Sequence, residues 1–220
     1  MSGSGFSDWA TSDSTYSNTI HITRTLHCET SEEPYRNLQL ITKCLREATT
    51  EQIMSVRVPP SIYKPAFGPT VDGVTINREN IENKEKVKAA LAGYKIMFGV
   101  TSAESAVAFS EHQLRSGITE DVRDGILWRY ITSVNKYHNK EIFASIISEY
   151  TEWNKPLQHP INLRDDTIAA LTDGQYVAPI LRLAQFMPQM GYFYVFHYKK
   201  SDGYDYQVGQ NLKFYRNRIS

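Results

Sequence analysis

The chain has 220 residues, 41% of them hydrophobic and 22% charged, so it is long enough to bury a core and too apolar to be disordered. Lysine plus arginine and aspartate plus glutamate number 24 each, so no net basic charge attracts nucleic acid, which we exclude as a partner. No apolar run approaches the roughly 20 residues that cross a bilayer, and the first residues lack the basic and apolar stretches of a signal peptide.

The first third of the chain predicts helices next to a proline-rich segment. A short strand is expected near Met1, and residues 18–26 fit either a helix or a strand. Apolar residues in 38–48 recur at helical spacing, which predicts a helix. Residues 56–72 contain four prolines, each of which removes a backbone donor, so this segment is predicted to be irregular and extended.

Residues 94–109 run from a strand through a small-residue turn into a helix, and the rest of the chain is organised around this unit. The strand breaks at Gly99, and the turn carries one carboxylate, Glu104. Ligands and catalytic side chains gather beyond the carboxyl ends of strands in open α/β sheets. Glu104 is therefore a candidate site residue, and a solvated loop acid is the alternative.

Helices are predicted on both sides of this unit. A short helix over 81–93 precedes it, with Glu82 and Lys86 as an i,i+4 pair. The unit is followed by an amphipathic pair of helices at 119–138 and 142–150, which are predicted to pack together. Two further helices are predicted at 165–171 and 176–187, separated by Thr172-Asp173-Gly174. The aromatic run 192–198 predicts a strand with its tyrosine and phenylalanine side chains in the core. Strands separated by helices predict a parallel α/β architecture, and three strands for so many helices indicate part of a larger domain.

The two cysteines, Cys28 and Cys44, lie close together in the sequence. No further Cys or His lies at ligand spacing, so no metal site is predicted. A disulfide would close a loop of about 15 residues, contribute about 3 kcal/mol and imply an oxidising compartment. Two buried thiols are the alternative.

Motifs for nucleophilic catalysis are missing from the sequence. It contains no G-x-S-x-G, G-x-G-x-x-G, phosphate-binding loop or H-E-x-x-H. None of the six histidines has a neighbouring motif that would orient it as a base, so each is interpreted as structural or solvated. No cofactor is predicted.

Seven segments follow one another in an order that is informative as a set. They are SGSGFSDWA, the span from Cys28 to Cys44 followed by LR, then FGPTVDG, FGVTSAES, YTEW, LTDGQYVAP and YFYVFHY. This series resembles the carboxylesterase type B family of α/β-hydrolases, which includes cholinesterases, neuroligins and gliotactins. The resemblance implies that residues 1–206 are the C-terminal portion of an α/β-hydrolase fold, with a partial, mainly parallel sheet and several helices, and that residues 207–220 are a divergent tail.

The resemblance implies roles for five residues. Cys28 and Cys44 match the family's short-loop disulfide, and Glu104 matches the triad acid, which orients the base histidine. Asp72 and Gly73 match a structural turn. The family's nucleophile serine and oxyanion hole precede the segment that resembles MSGSG, so they are expected to lie outside this chain.

Two departures from the family pattern favour its adhesion branch. The family's base histidine follows the last strand in an H-G-x-E-like motif, but no histidine follows His197 here. Ala178 stands where cholinesterases typically have a cysteine for another disulfide, as in the neuroligin and gliotactin form. The resemblance thus implies a non-catalytic cell-adhesion or junction ectodomain, extracellular or at the cell surface, in which Glu104 is vestigial.

The resemblance also implies the kind of partner. We expect a protein partner at the cell surface, or a homodimer through the helices at 119–138 and 142–150. The alternative is a truncated fragment of an active secreted ester hydrolase of the carboxylesterase or cholinesterase type. A non-functional product of an incomplete gene model is a third possibility.

Overall fold

The computed structural model describes residues 3–28, 38–59, 62–154, 159–187, 191–197 and 213–215. The chain divides into two units: Trp9–Ile76 forms one, and Met1–Asp8 with Asn77–Ser220 forms the other. Helices and a small sheet make up the described residues, so the predicted α/β class is confirmed.

The unit Trp9–Ile76 contains three helices in its described part: α1 Thr15–Thr25, α2 Leu38–Glu47 and α3 Thr50–Ser55. Residues 18–26, which fitted either a helix or a strand, belong mainly to α1, and the helix predicted over 38–48 is α2. A capping box begins α3, because Thr49 Oγ1 accepts from the N–H of Gln52 at 3.2 Å and Gln52 Oε1 accepts from the N–H of Thr49 at 2.8 Å. The described residues of 56–72 contain no helix or strand, as their prolines predict.

The other unit carries the sheet and most of the helices. Its described elements are, in chain order, α4 Arg78–Glu82, α5 Lys84–Leu91, β1 Ile96–Thr101, a 3₁₀ helix Glu104–Ala108, α6 Glu111–Ser116, α7 Glu120–Val134, α8 Asn139–Glu149, α9 Pro160–Thr172, a π-helical segment Asp173–Val177, α10 Ala178–Ala184, β2 Gly191–Phe196 and β3 Lys213–Tyr215.

The strand predicted near Met1 is wrong from Gly3 onward, and Met1 itself lies outside the described residues. The N–H of Ser7 donates to the carbonyl of Ser4 at 3.0 Å, and the N–H of Phe6 donates to Ser4 Oγ at 3.1 Å. These local bonds fold the segment into a turn, because serine side chains compete with a sheet for backbone donors.

The single helix predicted over 81–93 is also wrong, because two helices meet at Asn83. The Asn83 side chain accepts from the backbone N–H groups of Glu85 and Lys86, both at 3.1 Å, and so begins α5 as an N-cap. Lys86 Nζ lies 2.9 Å from Glu79 Oε1. The predicted pair of Lys86 with Glu82 involves the Glu82 side chain, which lies outside the described part of the structure.

The sheet has the order β1-β2-β3. β1 and β2 are parallel over their whole length, from Ile96 opposite Gly191 to Thr101 opposite Phe196, which confirms the predicted parallel pairing. β3 pairs with β2 in the antiparallel direction, and no pattern in the sequence had predicted a strand there.

One face of the sheet packs on α10. Phe98, Val100, Ile180 and Ala184 form the buried cluster, and Phe193 lies against it. The rings of Phe98 and Phe193, which are opposite each other in register, have centroids 5.6 Å apart. Burial of these side chains supplies the apolar free energy that holds the helix on the sheet.

The other face of the sheet is more open. Tyr192 and Phe196 are 49% and 42% exposed, so the prediction that all tyrosines and phenylalanines of the aromatic run lie in the core is wrong for these two. Met97, the neighbour of Tyr192 in register, is 58% exposed. Alternation along a strand places these side chains on the face away from α10.

The helices α7 and α8 pack together as predicted. The rings of Trp128 in α7 and Phe143 in α8 meet edge to face, with centroids 5.9 Å apart. Leu127, Tyr130 and Ile131 are the buried residues of α7, whereas α8 has no fully buried residue.

The two helices predicted at 165–171 and 176–187 are parts of one continuous helical stretch, which is a correction. Thr172-Asp173-Gly174 does not break the helix, because the chain continues through the π-helical segment, in which the N–H of Ala178 donates to the carbonyl of Asp173. Pro179 has no N–H to donate to the preceding turn, so the regular α-helical pattern is interrupted at this point without ending the helix.

Candidate functional site

Glu104 lies where the sequence predicts a site residue, just beyond the carboxyl end of β1 and at the start of the 3₁₀ helix. Its side chain turns back towards the strand, and the backbone N–H of Thr101 donates to Glu104 Oε1 at 2.7 Å. The N–H of Ser102 donates to the carbonyl of Phe196 at 3.1 Å, so the ends of both parallel strands meet beside this carboxylate. Among the described residues, the hydrogen-bond partner of Glu104 Oε1 is therefore a backbone N–H.

Buried polar side chains hold the turn that carries Glu104. The backbone N–H of Ser105 donates to Thr172 Oγ1 at 3.2 Å, and Gln175 Nε2 donates to Ser105 Oγ at 3.4 Å. All three residues are buried, which makes each hydrogen bond costly to leave unmade. We name Ser105, Thr172 and Gln175 the polar lock.

Sequence reasoning did not identify the polar lock. Ser105 lies next to the predicted acid, but Thr172 and Gln175 follow Ser105 by 67 and 70 residues in the sequence. The only sequence signal was the helical pattern interrupted at Thr172-Asp173-Gly174, which marks the place where α9 gives way to the π-helical segment.

Two tyrosines near this region have raised pKa values. Burial raises the pKa of Tyr176, and the negative charge of Glu104 raises it further. Burial likewise raises the pKa of Tyr150, and its hydroxyl donates a 2.6 Å hydrogen bond to Asp173 Oδ2, which stabilises the protonated form. Both phenols are therefore neutral hydrogen-bonding groups at ordinary pH and not bases.

The histidines have varied surroundings. His159 Nδ1 accepts from the N–H of Ile161 at 3.2 Å and caps α9, and a ring nitrogen of His21 lies 3.0 Å from the carbonyl oxygen of Arg57. His197 directly follows β2, and its buried Nδ1 has no hydrogen-bond partner among the described residues. These geometries give His21 and His159 structural roles, as the sequence predicts.

Cys28 and Cys44 form a disulfide with a Cα to Cα distance of 5.6 Å. Cys28 lies three residues beyond the end of α1, and Cys44 lies within α2. The alternative of two buried thiols is therefore wrong, and both cysteines of the sequence are used in this bond.

Asp72 and Gly73 form the structural turn that the resemblance implies. Asp72 Oδ1 accepts from the backbone N–H groups of Val74, Thr75 and Ile76 at 3.0, 2.8 and 2.9 Å. Backbone hydrogen bonds, that from Ile76 first, lower the pKa of Asp72. Gly73 has a φ of 77°, a conformation that favours glycine.

Metal-binding clusters and membrane-spanning helices do not occur within the described ranges. In 3–28, 38–59, 62–154, 159–187, 191–197 and 213–215, no group of three or more His, Cys, Asp or Glu residues has the arrangement needed to hold a metal ion. Within the same ranges no helix has the length and apolar character required to cross a membrane.

Residues 1–214 match the sequence model of the carboxylesterase family. The chain belongs to the carboxylesterase family. Membership accounts for the parallel pair β1 and β2 between helices, because this family has the α/β-hydrolase fold. It also confirms the family resemblance that the seven segments indicated.

Curated relatives of this carboxylesterase-family chain are neuroligins. Neuroligin-1 of Caenorhabditis elegans is 28% identical over 189 residues, which are 82% of this chain and 23% of that protein. Human Neuroligin-3 is 25% identical over 205 residues, 90% of this chain and 23% of that protein. Human Neuroligin-2 is 26% identical over 170 residues, 73% of this chain and 20% of that protein. The chain thus spans about a quarter or less of the length of these relatives.

Proposed function

We propose that this chain is part of a cholinesterase-like protein that acts in cell adhesion or at cell junctions and does not hydrolyse esters. The observation that carries the proposal is its similarity to neuroligins over 73–90% of the chain. Neuroligins belong to the branch of the family in which the enzyme-like fold serves adhesion. Ala178, the first residue of α10, supports this assignment because that branch lacks the cholinesterase cysteine there.

The surroundings of Glu104 support a non-catalytic role. A triad acid orients a base histidine, which in turn activates a nucleophile. Here the carboxylate binds the backbone N–H of Thr101. We propose that Glu104 remains at the triad-acid position as a residue that closes the turn after β1.

The proposed partner surface lies on α7 and the connection to α8. Asp121, Gly125, Trp128 and Thr132 fall along one exposed stripe of α7, and Trp128 is 39% exposed although its edge packs on Phe143. A Cβ at Gly125 would meet no atom within 4 Å. A large aromatic beside an open glycine offers a contact for a second helix at short distance, which suits a homodimer or another protein at the cell surface.

The disulfide supports an extracellular or cell-surface location. Disulfides form and persist outside the cytosol, and this one joins Cys28 to Cys44. As part of the same proposal, residues 1–206 are the C-terminal portion of the family's domain and residues 207–220 are a divergent tail.

The adhesion role is tested on the intact protein secreted from cultured cells. We expect light scattering to give the mass of a dimer, cells that display the protein to aggregate, and acetylthiocholine and p-nitrophenyl acetate to remain uncleaved. A monomer that hydrolyses either ester and does not aggregate cells would overturn the proposal.

The second candidate function is that of a secreted ester hydrolase, and the position of Glu104 at the end of β1 is the observation that favours it. The genomic sequence on either side of the coding region distinguishes the two. A G-x-S-x-G motif upstream together with an H-G-x-E motif downstream would support the hydrolase, and absence of either would support the adhesion protein.

A further inference from the structure

The π-helical segment Asp173–Val177 contacts a different neighbour with each of its first three residues. Asp173 Oδ2 accepts the 2.6 Å hydrogen bond from Tyr150, the residue that follows α8. Gly174 lies so close to α7 that a Cβ there would be 2.5 Å from the hydroxyl of Tyr130. Gln175 reaches the 3₁₀ helix through Ser105 Oγ at 3.4 Å.

The end of the segment faces the sheet. Tyr176 and Val177 pack on the buried cluster that includes Phe98 and Ile180. The residue before the segment, Thr172, accepts from the N–H of Ser105. Consecutive residues of one short stretch therefore contact the residue after α8, α7, the Glu104 turn and the buried cluster between α10 and the sheet.

A π-helical turn makes this distribution possible because it contains one residue more than an α-helical turn. Such segments often occur at functional positions of helices. Here Thr172 and Gln175 are buried and Gly174 has no room for a side chain, whereas Asp173 is exposed. A displacement of the backbone at Gly174 or Gln175, the residues that follow Asp173, disturbs their neighbours, because packed interiors have little free space.

We propose that the π-helical segment links the end of α8 to the Glu104 turn, so that loss of the Tyr150 contact loosens the turn at the carboxyl end of β1. The two ends of this link are the Tyr150 to Asp173 hydrogen bond and the polar lock. Binding of a partner to α7 and α8 would then change the conformation of the Glu104 turn. This consequence rests on the proposed function, whereas the link itself does not.

Hydrogen exchange of the intact protein tests the link without any partner. Tyr150→Phe removes one hydroxyl and keeps the ring. We expect amides of residues 101–109 to exchange about three- to tenfold faster in this variant, as loss of one hydrogen bond implies. Tyr137→Phe is the matched control, because Tyr137 is 77% exposed, and it should leave exchange at 101–109 unchanged.

A reciprocal variant makes the test two-sided. Gln175→Leu replaces the side chain by one of similar volume that cannot donate to Ser105. It should accelerate hydrogen exchange at residues 146–154, because coupling between two sites is mutual. Unchanged exchange at 101–109 in Tyr150→Phe would overturn the link, and so would equal acceleration in Tyr150→Phe and Tyr137→Phe. Because no partner is present, failure of this test leaves the adhesion assay unaffected.

Discussion

The Glu104 carboxylate and the backbone N–H of Thr101 are joined by a 2.7 Å hydrogen bond across the turn that ends β1. The side chain that we propose to stand at the triad-acid position satisfies a backbone donor of its own strand. The bond spans only three residues, so it forms with the turn and needs no distant group. Its energetic role can therefore be separated from catalysis by substitution.

We expect Glu104→Ala to lower the free energy of unfolding by about 1–2 kcal/mol, because a partly buried N–H loses a charged acceptor. Glu104→Gln keeps an oxygen acceptor and should lose less. Urea unfolding of the intact protein measures both. We expect no ester cleavage by the wild-type protein or by either variant. Ester turnover by the wild-type protein that disappears in Glu104→Ala would contradict a purely structural role.

Replacing both Cys28 and Cys44 by serine should lower stability by about 3 kcal/mol, the value of the chain-entropy model for a loop of this size. The sequence separation of the two residues is 16. Thermal unfolding of the secreted protein gives the change, and non-reducing peptide mapping should show one linked peptide. Two free thiols in the secreted wild-type protein would refute the pairing.

Two glycine-to-alanine substitutions should have opposite effects. At Gly99 a Cβ would lie 2.2 Å from the carbonyl oxygen of Tyr194, so Gly99→Ala should destabilise by about 2–3 kcal/mol. Gly125 is in the middle of α7 with open space around it, so Gly125→Ala should stabilise by about 0.5–1 kcal/mol. Denaturant midpoints compare the pair directly, and equal shifts would show that the close strand contact is not retained in solution.

Stability should fall at alkaline pH because of Tyr150. Its pKa is raised in the folded state, so above the unfolded value of about 10 the unfolded chain loses a proton that the folded chain keeps. Fewer protons bound in the unfolded state make stability fall as pH rises from about 10 towards the folded pKa. Tyr150→Phe should flatten this decline, which melts between pH 8 and 11 measure. An identical decline in Tyr150→Phe would assign it to other groups.

The sequence predicted the local elements better than their connections. The central strand at residues 96–101, the helix α2 and the pair α7 and α8 follow from apolar periodicity, which is a local property. The break assigned to Thr172-Asp173-Gly174 was wrong because glycine and aspartate are punctuation residues in most contexts. Here Gly174 lies against Tyr130, a residue far away in sequence, where a side chain would have no room.

Only the local features of the candidate site were predictable from the sequence. Glu104 was visible because it is the single acid of a short turn after a strand. Its Thr101 contact and the polar lock were not visible, since hydrogen bonds between distant side chains leave no periodic signal. The exposure of Tyr192 and Phe196 was also missed, because an aromatic run predicts a strand but does not say which of its faces is covered.

The last prediction concerns the proposed partner surface on α7. Trp128→Glu should shift any dimer towards monomer by at least about tenfold in the dissociation constant, because aromatic anchors at the centre of an interface contribute most. Trp153→Glu is the matched control, since Trp153 is 70% exposed beyond α8 and donates through Nε1 to the carbonyl of Ser148.

A second variant separates loss of association from loss of folding. Trp128 packs on Phe143, so its replacement also weakens the helix pair. Gly125→Gln adds a long side chain where no atom lies within 4 Å of a Cβ. It should not lower the melting temperature of the monomer, because glutamine favours a helix more than glycine does, but it should block close approach of a second helix. Light scattering over a concentration series measures both variants. If Gly125→Gln and Trp128→Glu associate as strongly as Trp153→Glu, this stripe of α7 is not the partner surface.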